Sequence, residues 1–158
     1  MRDFAGYMVL FDPDSPIRWE VHREKLVRIA ANGDQVSCDR LPNGNWFEVT
    51  DACVTPDGGV VVLHGQKELS FFSAQGQPIK TMDMGIEDRG FQVCCSRRWI
   101  AVRAPSSLYM VDRSDLSTSK VRTQQSIPHP GRGHVAFSPD GSEIWWVDRV
   151  SLMRFSIP

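Results

Sequence analysis

Long apolar runs are the first thing missing from these 158 residues. No stretch approaches the roughly 18 consecutive apolar residues of a membrane-spanning helix. The short run from Ala5 to Phe11 lacks the basic flank, length and cleavage site of a secretory signal, so a cytoplasmic location is expected. An excess of one charge is missing too: 18 Lys and Arg stand against 19 Asp and Glu, a formal net charge of -1. A nucleic-acid binder would show a clustered basic stripe interleaved with aromatics, and there is none. Cysteine is sparse, and Cys38, Cys53, Cys94 and Cys95 include no second pair at metal-ligand spacing. Three of the four fall in apolar strand-like runs, where Cys packs as a small hydrophobe, so reduced thiols are expected. There is no nucleophile elbow, phosphate loop or paired-carboxylate motif, and no calcium-loop pattern follows Asp12, Asp14 or Asp57. No catalytic residue, metal or cofactor is expected on these grounds, and the chain reads as something other than an enzyme.

What is present is ordinary in bulk. Hydrophobic residues at 41% and charged residues at 23% match a globular protein, and the length suits a single domain spanning 1–158. Charge is unevenly shared: residues 1–79 hold 7 Lys/Arg against 11 Asp/Glu, and residues 80–158 hold 11 against 8.

The chain repeats itself. Val54-Thr55-Pro56-Asp57-Gly58, followed by Val60 to Leu63, recurs as Phe137-Ser138-Pro139-Asp140-Gly141, followed by Ile144 to Val147, 83 positions later. Half of that spacing is a period of about 41 to 42 residues, the size of one four-stranded propeller blade. Counting that far from Asp57 reaches Cys94 to Val102, the same strand-turn-strand outline with Ser96-Arg97-Arg98 at the turn. A second register agrees, since Leu26 to Asp34 aligns with Leu69 to Gln77 at a spacing of 43. In each turn Pro presets φ, Asp bonds the backbone that follows it, and Gly takes the positive φ that closes the bend. Between turns the runs are short, β-branched and aromatic, as strands require. Only Ile17 to Ala31 has apolar positions compatible with either a helix or strands.

These features predict an all-β chain of four-stranded antiparallel blades. Blade one is irregular over about residues 6–42, and the others cover about 50–84, 91–125 and 133–158. The last blade lacks an outer strand, so about three and a half to four blades fit. Either strand exchange at Pro158 closes a minimal four-bladed ring, or another chain completes it, and the second arrangement is the one expected. The segment from Gly133 to Asp148, with Val54 to Leu63, resembles the repeat of the YVTN, WD-repeat-like and NHL-type β-propellers. That resemblance implies a fold and no activity.

Six residues stand out as candidate partner- or ligand-binding groups. His129, Arg132 and His134 lie in the Gly/Pro-rich connection between blades three and four, where two imidazoles and a guanidinium could engage a carboxylate or phosphate. Arg97, Arg98 and Trp99 put a basic pair beside an aromatic at a turn, a pattern suited to an interface anchor. The plainer alternatives are a simple connection and solvated arginines ahead of a buried strand. Cys94-Cys95 and Trp145-Trp146 each place one side chain on either face of a strand. The expected role is a scaffold or protein interaction module in a larger assembly, its partner a second copy or a different subunit. A propeller enzyme or ligand sensor, and a fragment of a longer propeller, are the alternatives.

Overall fold

The computed structural model describes residues 8–12, 15–22, 25–41, 49–105, 107–120, 133–147 and 152–157. They form fifteen strands in four antiparallel sheets, each built from consecutive strands. Blade one holds β1 (Met8–Phe11), β2 (Arg18–Val21), β3 (Leu26–Ile29) and β4 (Gln35–Cys38). Blade two holds β5 (Asp51–Val54), β6 (Val60–His64), β7 (Glu68–Phe72) and β8 (Pro78–Asp83). Blade three holds β9 (Gln92–Cys95), β10 (Trp99–Arg103), β11 (Leu108–Asp112) and β12 (Thr118–Lys120). Blade four has β13 (His134–Phe137), β14 (Glu143–Val147) and β15 (Leu152–Ser156), and no fourth strand among the described residues. The ambiguous Ile17 to Ala31 segment is resolved as β2 and β3, which pair from Arg18↔Ile29 to Val21↔Leu26.

The turn chemistry sets this pattern locally. Gly58 and Gly141 adopt φ of 81° and 72°, the left-handed conformation that a Pro-Asp-Gly turn demands. In both turns the glycine N–H returns to the carbonyl three residues back, Thr55 or Ser138.

The core lies between the blades. Val60, Val62 and Phe72 of blade two pack with Trp19, Val21 and Leu26 of blade one. The opposite face of blade two, with Val61, Leu63 and Leu69, packs on Val93, Ile100, Val102 and Val111 of blade three. Ala101, Leu108 and Met110 then meet Val135, Ile144 and Trp146 of blade four. Strands β6 and β11 are buried along their whole length because both their faces are covered. The first strands, β1, β5, β9 and β13, run side by side in chain order as the inner edge. Among the described residues, no comparable contact joins β13 back to β1.

Cysteine follows the strand alternation. Cys95 packs in the core shared with blade two and Cys94 in that shared with blade four. The Cys53 and Cys95 sulfurs meet at 2.6 Å across the blade two–three junction. Burial, reinforced by the Cys95 contact, pushes the Cys53 thiol well above its ordinary pKa.

Blade two also carries a buried polar chain. His64 Nε2 lies 2.8 Å from Ser70 Oγ, which lies 2.6 Å from Thr81 Oγ1, and Glu68 Oε2 is 3.4 Å from His64 Nδ1. Burial lowers the His64 pKa, with Glu68 opposing it only in part. The folded chain therefore holds His64 neutral where the unfolded chain would bind a proton. Its contribution to stability is full above the ordinary histidine value of about 6.5 and is lost as pH falls below it. Thermal unfolding followed by circular dichroism from about pH 7.5 down to about pH 5 should show this decline. A His64→Gln variant should flatten it, and equal slopes in the two proteins would contradict the assignment.

Candidate functional site

The turns that join the first two strands of blades two, three and four lie at one end of the sheets. Thr55–Gly59 is closed by the Thr55 N–H donating to the Gly59 carbonyl at 2.9 Å, and Ser138–Glu143 by the matching bond at 2.9 Å. At the blade-three turn the Ser96 N–H donates to the Trp99 carbonyl at 2.7 Å, while Ser96 Oγ accepts from the Trp99 N–H at 3.0 Å. Between these turns lies a cleft of about 720 Å³ whose walls include Pro56, Arg97, Arg98, Trp99, Phe137 and Asp140.

Arg113, from the turn after β11, ties this end together. Its guanidinium donates to Asp57 Oδ1 at 2.6 Å and to the carbonyls of Ser96 and Arg97 at 3.2 and 2.9 Å. Burial acts to raise the Asp57 carboxyl, but hydrogen bonds from Arg113 and Thr55 outweigh it and hold the pKa below its usual value. Asp140 is held down to about 2, first by the Ser138 hydroxyl and then by Ser142, so it caps its own turn as a carboxylate. Nothing in the local sequence marks Arg113, because its partner Asp57 is 56 positions away.

The sequence candidates separate in space. Arg98 Nε donates to Asp112 Oδ2 at 3.1 Å, and its guanidinium stacks 4.7 Å from the Trp99 ring. The Ser114 hydrogen bonds, with Arg98 adding to them, lower the Asp112 pKa and keep that carboxylate charged. Arg98 is thus committed to holding Trp99 in place. Arg97 is exposed, and among the described residues no ion pair or hydrogen bond engages its guanidinium. It is the one member of the basic pair available to a ligand at the cleft. His134 opens β13 at the far end from Phe137, about 10 Å along the strand, and does not join Arg97, Arg98 and Trp99 in one site. His129 and Arg132 lie outside the described residues. No group of three or more His, Cys, Asp or Glu is arranged to hold a metal among those residues, and no described helix is long and apolar enough to cross a membrane.

No family model matches the chain, and no curated protein matches it. Among solved structures, selenomethionine-substituted virginiamycin B lyase from Staphylococcus aureus is similar with a TM-score of 0.67 at 14% identity. The match covers 99% of this chain and 57% of that one, so this chain spans little more than half the length of the lyase. The expectation that the chain is something other than an enzyme is thereby corrected. Its fold is shared with a protein named for a catalytic activity, and a lack of sequence signatures excludes nothing on such a scaffold. What this likeness shows is the fold: the described residues form antiparallel blades of the β-propeller type.

Proposed function

We propose that this chain supplies four blades of a larger propeller ring and serves as an interaction module within that assembly. One observation carries the reading: the first strands of the blades contact one another in chain order, and among the described residues no contact of comparable extent joins the fourth to the first. An open arc leaves two blade faces without the neighbour that every internal blade face has, and propellers manage their sheet edges by radial closure. The match to only 57% of a longer propeller chain supports it, and so does the sequence repeat, which resembles that of the YVTN, WD-repeat-like and NHL-type propellers. Free thiols at all four cysteines favour the cytoplasm as its compartment.

A second reading, a propeller that binds a small anionic ligand, is favoured by the Arg97 rim of the cleft beside the Trp99 ring. Light scattering combined with counting blades in electron micrographs separates the two. The expected result is a mass above 17.8 kDa and more than four blades per ring. A compact monomer with a closed ring of four blades would sink the assembly reading. If Trp99 fluorescence in that monomer also responds to small anions, the second reading takes its place.

A further inference from the structure

One spacing of the repeat brings two thiols together. Cys53 and Cys95 stand 42 positions apart, one blade, on the adjacent inner strands β5 and β9. Cys53 pairs with Val61 across blade two and Cys95 with Ile100 across blade three, and both side chains pack into the core that Val61 and Ile100 share. The inner strands are held from beside the thiols. Asp51 is buried, and its Oδ2 accepts from the Val93 N–H at 2.9 Å, as Gln92 Oε1 accepts from the Val135 N–H at 3.1 Å one blade on. Cys53 Sγ meets Cys95 Sγ at 2.6 Å in this register. A disulfide has its sulfurs about 2.05 Å apart, so they need to close by only roughly 0.5 Å, which a small rotation of the side chains supplies.

Among the described residues no other cysteine competes for either sulfur. Cys94 follows the strand alternation to the opposite face, toward blade four. Cys38 lies on β4, the outer strand of blade one, its thiol donating to the Arg40 carbonyl at 3.1 Å. One blade beyond Cys95 the repeat holds Phe137, so the junction of blades three and four has no equivalent pair. Access to the two sulfurs is unequal. Cys95 lines the cleft between the turns, beside Ser96 and Phe137, whereas Cys53 lies behind it and is not part of the cleft wall. A small molecule entering the cleft meets Cys95 first.

We infer that Cys95 and Cys53 form a hydroperoxide-reactive thiol pair, with Cys95 attacking from the cleft and Cys53 resolving the product into a disulfide between blades two and three. The inference goes beyond ring completion and does not depend on it. In the first step the Cys95 sulfur loses its proton and bonds to one peroxide oxygen as the O–O bond breaks. The departing oxygen takes that proton and leaves as water or an alcohol. Cys95, oxidised by two electrons, is then a sulfenic acid, and the hydroperoxide is reduced by two. In the second step Cys53 Sγ bonds to Cys95 Sγ as the S–O bond breaks, and the Cys53 proton leaves with the hydroxide as water. Burial keeps Cys53 protonated at neutral pH, so the proton that this step discards is in place. The free thiols are the resting state, and reducing surroundings reverse the bond.

Mass spectrometry of the full chain tests this after reduction, removal of the reductant, treatment with a small excess of hydrogen peroxide, alkylation and trypsin digestion. The first product should join peptide 41–67 to peptide 90–97. It should be lighter by about 2 Da than the two thiol peptides together, and dithiothreitol should reverse it. Cys94→Ser should keep the link, which assigns it to Cys95. Cys53→Ser should stop at the Cys95 sulfenic acid, captured as a dimedone adduct. Cys95→Ser should slow the loss of the Cys53 thiol at least about tenfold. Unfolding the wild type in urea should abolish the preference, and circular dichroism confirms that each variant folds. Oxidation of Cys38 or Cys94 ahead of the pair, a wild type whose Cys53 and Cys95 stay reduced, or the same preference in the unfolded chain overturns the inference. A link already complete in the isolated chain and resistant to dithiothreitol in the folded state overturns it in favour of a structural disulfide. Each of these results leaves ring completion standing.

Discussion

Trp146→Ala should destabilise the chain by about 3–5 kcal/mol, measured by urea unfolding with circular dichroism as the probe. Trp146 is fully buried in β14 and fills the junction of blades three and four with Leu108, Met110, Val135 and Ile144. Arg103 of β10 lies over its ring at 5.6 Å, adding a cation–π contact in a site shielded from water. Alanine leaves a cavity that rigid sheets on both sides cannot close. The indole N–H donates to no acceptor among the described residues, so the ring contributes through packing. Trp146→Phe should therefore recover more than half of the loss. The adjacent Trp145 gives the contrast. It lies on the outer face of blade four, half-buried beneath Arg154, with its N–H donating to Glu143 Oε2 at 2.8 Å. Trp145→Ala in the monomer should cost about 1 kcal/mol. If the two alanine variants were equally unstable, the assignment of faces in blade four would be wrong.

Gly59→Ala should cost about 3 kcal/mol or more, exceeding Gly58→Ala at about 1–2 kcal/mol. The two glycines are adjacent but answer to different physics. Gly58 has φ of 81°, where a side chain is strained but has space, its nearest neighbour being the Ala74 methyl at 3.4 Å. At Gly59 a Cβ would lie 2.3 Å from the Phe72 carbonyl oxygen and 3.1 Å from Thr55 Oγ1. That oxygen belongs to β7, whose Phe72 pairs with Val60, so relief requires β6 and β7 to part at the centre of blade two. The urea midpoints of the two variants, taken at matching slopes, give the comparison. A larger loss at Gly58 would show that turn strain, and not close approach, governs this corner.

The repeat was legible because its signals are local. Pro56-Asp57-Gly58 and Pro139-Asp140-Gly141 state their turn within three residues, and both turns form as their residues require. Strands β5 and β13 were legible for the same reason, as short runs ending at those turns. The Ile17 to Ala31 segment was ambiguous because its apolar spacing fits both periods. Pairing with β1 and β4 decided it, and that pairing is tertiary information. The candidate site was half legible: Arg97, Arg98 and Trp99 do line the cleft, but their division of labour depends on Asp112, 14 positions from Arg98.

The sequence by itself determined the blade period, the antiparallel strands and the turns, because φ preferences and side-chain alternation act over a few residues. Only the tertiary structure decided which tryptophan of Trp145-Trp146 is core, because alternation puts them on opposite faces without saying which face meets a neighbouring blade. It also decided that Arg113 binds Asp57 across two blades, and that Asp51 and Gln92 clamp the strand that follows. Those contacts span 42 to 56 positions. Asp51 and Gln92 share a place in the repeat but no residue type, so a search for similar residues passes over them. Stacking the blades brings their common position to each junction, where an edge N–H needs an acceptor.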